Sequence, residues 1–402
     1  MRKTDTLFSK LLGMMVFVLI CLNTTGQSLT STGTESSVSM EPFSDSSRHW
    51  YGIHDDGNII QPKRDQPKYK ESEITNIADN ILIYQRSNGG WPKNYDMQAI
   101  LTNSQKDSLL KTKNILHTTF DNSTTYTHID YLAQVYTITK IEKYRESCVR
   151  GILFTLSAQY PNGGWPQYFP LEDNYSRHIT YNDGAYIGIM EVLKKIVDSN
   201  ASYSFLDKDL REKVKHSFEK GLDCILKTQI AENGRLTAWC QQHNEIDLSP
   251  AWARAFEPPS ICNGESAAIV LFLMSIDHPN PMIIQSIQSA VKWFEDSRIL
   301  NTRVETVKTP AENSKYKTIT DDKVVVIDSL AKPIWTRFYE LGTEKPLFCD
   351  RNSKFLYSLA EVSHERRSGY GWYTYNPKEV LSKYPKWQKK WAPQENILKN
   401  KS

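Results

Sequence analysis

The 402-residue chain lacks a charge excess: 49 Lys and Arg stand against 46 Asp and Glu, a formal net charge of +3. A surface that grips nucleic acid through its phosphates normally carries a pronounced basic excess, so that partner class is excluded. Long apolar runs are missing too. Residues 11–22 form the longest, and a run of that length is too short to span a bilayer. Cysteine is sparse, six residues with no Cys-x-x-Cys pair, which removes the usual zinc signatures. No His-Glu-x-x-His, Gly-x-Ser-x-Gly, phosphate-loop or Gly-x-Gly-x-x-Gly pattern occurs, so zinc proteolysis, serine hydrolysis and nucleotide chemistry lose theirs. What remains is an ordinary globular composition, 39% hydrophobic and 24% charged, with 21 Tyr, 14 Phe and 10 Trp. Tyr and Trp suit a sugar ligand, because a ring face packs on a pyranose while the OH or NH finds a partner. A large aromatic core accounts for the same figures.

Arg2, Lys3 and Lys10 precede the apolar run, and Thr24-Thr25-Gly26 offers small residues after it, the pattern of a signal peptide over residues 1–26. The protein is therefore expected to be secreted or periplasmic. Residues 28–47 hold 11 Ser or Thr in 20 and few apolar side chains, so residues 27–47 are read as a disordered linker. Residues 48–395 then form one domain, with 396–402 as a C-terminal tail. Cleavage leaves five cysteines, Cys148, Cys224, Cys240, Cys262 and Cys349. Their odd number and scattered placing favour buried thiols over a disulfide framework.

An internal repeat organises the domain. Asn88-Gly89-Gly90-Trp91-Pro92 returns as Asn162-Gly163-Gly164-Trp165-Pro166, and a degraded copy, Asn233-Gly234, is followed by Trp239. Each copy follows a segment with helical apolar spacing, such as Ile74, Ile77 and Ile81. Asn-Gly-Gly just past a helix reads as a left-handed C-cap, which glycine enters without a Cβ penalty. Each copy also precedes a second helix, over residues 124–137, 185–197 and 266–276. Strand alternation is scarce, with residues 323–327 the best candidate. Three helical hairpins facing one axis would make an all-α fold, an (α/α)3 toroid with a few short strands and its loops gathered at one mouth.

Asp121 and Asp183 stand at matching starts of the first two inner helices. Either could be an N-cap, bonding the free backbone NH groups there. Two carboxylates at one mouth would also repel unless a cation lay between them, and oxygen ligands imply Ca2+ rather than a transition metal. In the third repeat the same register carries Arg254, within Ala251-Trp252-Ala253-Arg254-Ala255-Phe256-Glu257-Pro258-Pro259. It is a functional cation, or else an Arg stacked on Trp252 or paired with Glu257. Arg337, in Trp335-Thr336-Arg337-Phe338-Tyr339, and the segment His364–Tyr373 set guanidinium groups among rings, which suits a ligand bearing carboxylates.

These segments together resemble the pectate lyases of polysaccharide lyase family 10. The matching text is NGGWPKNYD (88–96), FDNSTTYTHIDYLAQVY (120–136), YPNGGWPQYFP (160–170), ITYNDGAYIGIMEVL (179–193), SPAWARAFEPPS (249–260), RFYELGTEKPLF (337–348) and ERRSGYGWY (365–373). The resemblance implies an (α/α)3 toroid that cleaves polygalacturonate by anti β-elimination with Ca2+, giving 4,5-unsaturated oligogalacturonides. It implies that Asp121 and Asp183 lie at the cation site, that Arg254 is the base, and that Arg337 contacts a substrate carboxylate. Lys93 and Arg177 are candidate subsite contacts. An arginine base needs nearby positive charge and desolvation to lower its pKa, so an alkaline optimum is expected. The implied partners are pectin oligosaccharides, with no nucleic acid, no membrane after signal cleavage, and a monomeric enzyme. Two other classes stay open: a glycoside hydrolase using Asp121 and Asp183 as acid and base, and a non-catalytic pectin-binding relative.

Overall fold

Of the residues described in the computed structural model (37–48, 63 and 65–398), 44% are helical and 15% lie in strands or bridges. The helices are α1 (Ser44–Arg48), α2 (Ile74–Tyr84), α3 (Asn103–Lys111), α4 (Tyr126–Thr139), α5 (Glu142–Ser157) and α6 (Ala185–Val197). Then follow α7 (Lys208–Thr228), α8 (Asn263–Met274), α9 (Pro281–Asp296), α10 (His364–Gly369) and α11 (Pro377–Trp391). The expected hairpins are present. α4 packs on α5, α6 on α7 and α8 on α9, while α6 lies between α4 and α8. α2 packs beside the first pair and α11 beside the last.

The inner helices are apolar on most faces, which is why they sit inside. α6 buries nine of its 13 residues, among them Tyr186, Ile189, Met190 and Leu193. α7 is amphipathic, burying Val214, Phe218 and Ile225 along one stripe and leaving its lysines in water.

The frame repeats in more detail than its motifs announce. Trp91, Trp165 and Trp239 are buried, and each Nε1–H donates to the carbonyl of a preceding outer helix: Ile81 at 2.8 Å, Thr155 at 2.9 Å, Ile225 at 2.7 Å. Gln85, Gln159 and Gln229 each donate from Nε2 to two carbonyls. One is in the loop (Gly89, Gly163, Thr237) and one is on the next outer helix (Ser147, Ser217, Ser286), all at 2.9–3.0 Å. These bonds satisfy buried donors that would otherwise cost about 1–3 kcal/mol each. Gly89 and Gly163 both hold φ +94°, but as tight turns beyond the helices rather than as caps on them. A Cβ there would lie 2.5 Å from the Arg150 carbonyl oxygen or 2.1 Å from that of Lys220, so only glycine fits.

The all-α expectation is corrected by the strands, which form several sheets and make the molecule mixed rather than a pure toroid. Asn233-Gly234, the degraded third copy, turns a small hairpin joining Ala231–Glu232 to Arg235–Leu236. Residues 323–327 belong to a longer hairpin, Thr302–Asn313 against Thr318–Ile327, with a register shift between Lys308 and Glu312. A four-stranded antiparallel sheet has the order Phe355–Leu356, Pro346–Cys349, Phe338–Tyr339, Ile261–Cys262. That pairing brings the C-terminal part onto the third repeat. The Asn263 N–H donates to the Arg337 carbonyl at 3.3 Å, so Arg337 lies over the start of α8. Most of the strands are two to four residues long, and the long hairpin buries little on either face, so apolar alternation is weak and helical periodicity dominated the sequence signal.

Residues 1–26, the expected signal peptide, and 27–36 of the expected linker lie outside the described residues, as do 399–402 of the tail. Within the described residues no helix is long and apolar enough to cross a membrane. The linker reading fails over 37–47. Val38, Met40 and Phe43 are buried, and Phe43 packs edge-on against His128 and Tyr131. Three well-placed apolar side chains outweigh a Ser-rich average. The five cysteines are buried free thiols, as expected.

Candidate active site

A cleft of about 460 Å3 is lined by Lys93, Asp121, Asn122, Tyr168, Tyr175, Asn182, Asp183, Arg254 and Glu257, among others. Asp121, Asp183 and Arg254, drawn from three repeats, thus share one cavity. Neither Asp is a helix cap. α4 is capped at Thr125, whose N–H donates to His128 Nδ1, and α6 starts after Gly184. The carboxylates sit one loop earlier, in a backbone of left-handed residues: Asn122 at φ +48°, Ser123 at +58°, Thr125 at +65° and Asp183 at +49°. Such non-glycine residues are strained by about 1–3 kcal/mol each, and strain of this kind gathers at functional sites.

Asp121 Oδ2 accepts from Lys93 Nζ at 2.6 Å, while its buried Oδ1 has no hydrogen-bond partner. Burial opposes the Lys93 charge, but Asp121 overcomes this and holds the ammonium above its ordinary pKa. Asp183 accepts from Asn182 Nδ2 at 2.9 Å. Its pKa is raised, first by burial and then by the Asp121 charge, with Arg337 pulling the other way. A half-satisfied carboxylate beside a second one that its charge repels is what a hard cation would relieve. Among the described residues no group of three or more His, Cys, Asp and Glu is arranged to hold a metal. Asp121 and Asp183 therefore suit Ca2+ only as a partial cage, completed by oxygens from elsewhere.

Arg254 is paired with Glu257, from Nε to Oε2 at 2.6 Å and from Nη2 to Oε1 at 2.5 Å. Tyr370 also donates to Glu257 Oε1 at 2.7 Å, and the guanidinium lies over the Phe256 ring at 5.0 Å. The sequence expectation was that positive neighbours would lower the Arg254 pKa; Arg351 and Arg366 do share the Phe256 ring with it, but the structure also sets a carboxylate directly against it. Burial lowers the Arg254 pKa, yet Glu257 wins and raises it. Burial in turn opposes the Glu257 charge, and Arg254 keeps its carboxyl below the usual range. Trp252 takes no part and packs towards Phe355.

The family model for pectic acid lyase matches residues 85–381. The chain belongs to that family. Two solved structures of family 10 polysaccharide lyase from Cellvibrio cellulosa are similar to it. One is 31% identical, covering 77% of this chain and 91% of that one, with a TM-score of 0.67. The other, an Asp-to-Ala mutant in complex with trigalacturonic acid, is 30% identical, covering 77% and 92%, with a TM-score of 0.66. No curated protein matches the chain.

Arg337 of this lyase borders a neighbouring cavity that shares Asp183 with the main cleft. Its Nη2 donates to Asn182 at 3.2 Å and to Glu265 at 3.0 Å, and its guanidinium lies 4.9 Å from the Tyr370 ring. Arg177 does not line the cleft; it pairs with Glu245 at 2.9 Å and Asp173 at 3.3 Å. The tryptophans of the repeated loops are core side chains with their NH groups satisfied, so they account for part of the aromatic content without touching the cleft. The rings at the cleft are Tyr168, 5.5 Å from Lys93 Nζ, and Tyr175. Sequence reasoning missed both, and missed Glu265, whose buried Oε2 has no partner. Tyr168 lies two residues beyond the repeated Asn-Gly-Gly-Trp-Pro, and that nearness was its one signal.

Proposed function

We propose that the chain is an exported, calcium-dependent pectate lyase that cleaves polygalacturonate by anti β-elimination. It would act as a monomer and leave 4,5-unsaturated oligogalacturonides. The observation that carries this reading is the convergence of Asp121, Asp183 and Arg254 in one cleft of a pectic acid lyase family member.

The C5 proton of a galacturonate residue is alpha to the C6 carboxylate, so its removal loads negative charge onto that group. Asp121 and Asp183 would hold Ca2+, which when bound supplies Lewis-acid stabilisation for that charge. Arg337, on the Asp183 side, binds a substrate carboxylate, and Lys93 adds positive charge beside Asp121. Arg254 accepts the C5 proton as the electron pair forms the C4–C5 double bond and O4 departs with the leaving sugar. Glu257 orients the guanidinium at the same time as it stabilises its charged form. Base action therefore requires alkaline solution and a weakening of that pair when substrate is bound.

Incubation with polygalacturonate and Ca2+ should give new ultraviolet absorbance from a conjugated C4–C5 double bond, and a chelator should abolish it. Asp183→Ala should lose on the order of 10²-fold in rate and recover partly at high Ca2+. Saturated reducing ends produced in the presence of chelator would establish the hydrolase reading instead.

A further inference from the structure

We infer that residues 37–48 form a strap that completes one end of the cleft, and that Arg48 on it is a binding residue for a carboxylate of a sugar next to the reacting one. The inference rests on the polygalacturonate reading above. The strap lies outside the span that the family model matches, residues 85–381. It is nevertheless anchored: Phe43 is 1% exposed and packs on His128 at 5.1 Å between ring centroids. From that anchor α1 leads to the site. Asp45 Oδ2 accepts from Asn122 Nδ2 at 2.9 Å, and Asn122 adjoins Asp121. Asp45 Oδ1 pairs with Arg48 Nη2 at 2.7 Å, and Arg48 lines the same cavity as Asp121 and Arg254.

Exposure separates Arg48 from the other cations of the cleft. Its side chain is 68% exposed, against 46% for Arg254 and 17% for Lys93, each of which pairs with a buried carboxylate. A guanidinium this open can meet an incoming carboxylate at little desolvation cost, in a two-pronged geometry that an ammonium cannot match. Polygalacturonate carries one carboxylate per sugar. A cation at the cleft wall beside Asn122 therefore meets a neighbour of the sugar held between Asp121 and Arg254.

The test compares binding of tetragalacturonate, by calorimetry with Ca2+ present, among wild type, Arg48→Ala, Arg48→Lys and Arg48→Glu. Arg48→Ala should weaken binding about 5-fold, Arg48→Glu more, and Arg48→Lys, which keeps the charge but not the two-pronged geometry, should fall between wild type and Arg48→Ala. The rate constant at saturation should change by less than about 2-fold, because Arg48 holds substrate and transition state alike. Phe43→Ala, which loosens the strap, should weaken binding in the same direction. Wild-type affinity in Arg48→Ala and Arg48→Glu overturns the inference, as does a fall in saturated rate with unchanged affinity. A wild type that binds tetragalacturonate in an Arg48-dependent way but yields no unsaturated product refutes the lyase reading and leaves the strap standing. A wild type that does not bind it overturns both.

Discussion

The first two repeats and the third share one frame and finish it differently. In the first two, a Gln clamps an Asn-Gly-Gly turn under the next outer helix and a Trp ties the loop back to the helix before it. The connection that follows ends at a carboxylate, Asp121 just before the left-handed Asn122 and Ser123, or Asp183, itself left-handed. In the third, Gln229 and Trp239 make the same bonds, but a hairpin replaces the turn. The inner helix there starts at Asn263-Gly264, with no Asp, and the long loop before it carries Arg254 and Glu257. The scaffold bonds tolerate either ending because they lie in the core, apart from the loops that reach the cleft. One architecture thus supplies two anionic walls and one cationic wall to the same space.

The most severe break of this arrangement removes its cationic wall. Arg254→Ala should lower the saturated rate on the order of 10³-fold, within the range for a positioned proton-transfer group, while oligogalacturonate binding persists. Full activity in that variant would move the base elsewhere. Next comes the frame itself. Gly163→Ala sets a Cβ 2.1 Å from the Lys220 carbonyl oxygen at φ +94°, so chemical denaturation should show a loss of about 3 kcal/mol or more.

Much of this was legible beforehand, and for a physical reason. Repeats, helical periodicity and glycine in special turns are local signals, so the three hairpins and the carboxylates at the mouths of the first two could be read directly. The Gln three residues before each Asn-Gly-Gly, Gln85 and Gln159, was also visible in the sequence, although its double hydrogen bond was not. Pairings at long range were illegible. Nothing local joins Ile261–Cys262 to Phe338–Tyr339, and that pairing is what carries Arg337 to the start of α8. The Arg254–Glu257 pair stood open as one of several readings, and only the folded loop selects it. The strap was misread because composition averages over residues, whereas Phe43 acts alone.

A smaller effect separates the repeats by pH. His128 in the first repeat and His243 in the third are fully buried, and burial lowers their pKa values to about 3 and about 4. Folded values below the unfolded value of about 6.5 mean that the unfolded chain binds the extra protons. The stability these neutral rings contribute is present above pH 6.5 and is lost as pH falls towards the folded values. Unfolding free energies from denaturant titrations between pH 6.5 and 5 should therefore fall, approaching about 1.4 kcal/mol per pH unit for each histidine. His128→Gln should remove one of the two contributions, and an unchanged slope would show that its burial is not what resists the proton.

The smallest effect is the most direct test of the contrast between the repeats. Gly234 holds φ +77°, in the same left-handed region as Gly163, but a Cβ there would meet nothing within 4 Å. Gly234→Ala then carries only the backbone strain of a left-handed alanine, about 1 kcal/mol, without the collision that Gly163→Ala adds. Measured side by side, the two substitutions separate what a turn requires of its own backbone from what a neighbouring helix requires of the turn. Equal losses would mean that the third copy is packed like the first two and that the hairpin is no substitute for the turn. A threefold or larger difference would place the constraint on glycine in the helix pressed against it, where the Lys220 carbonyl lies.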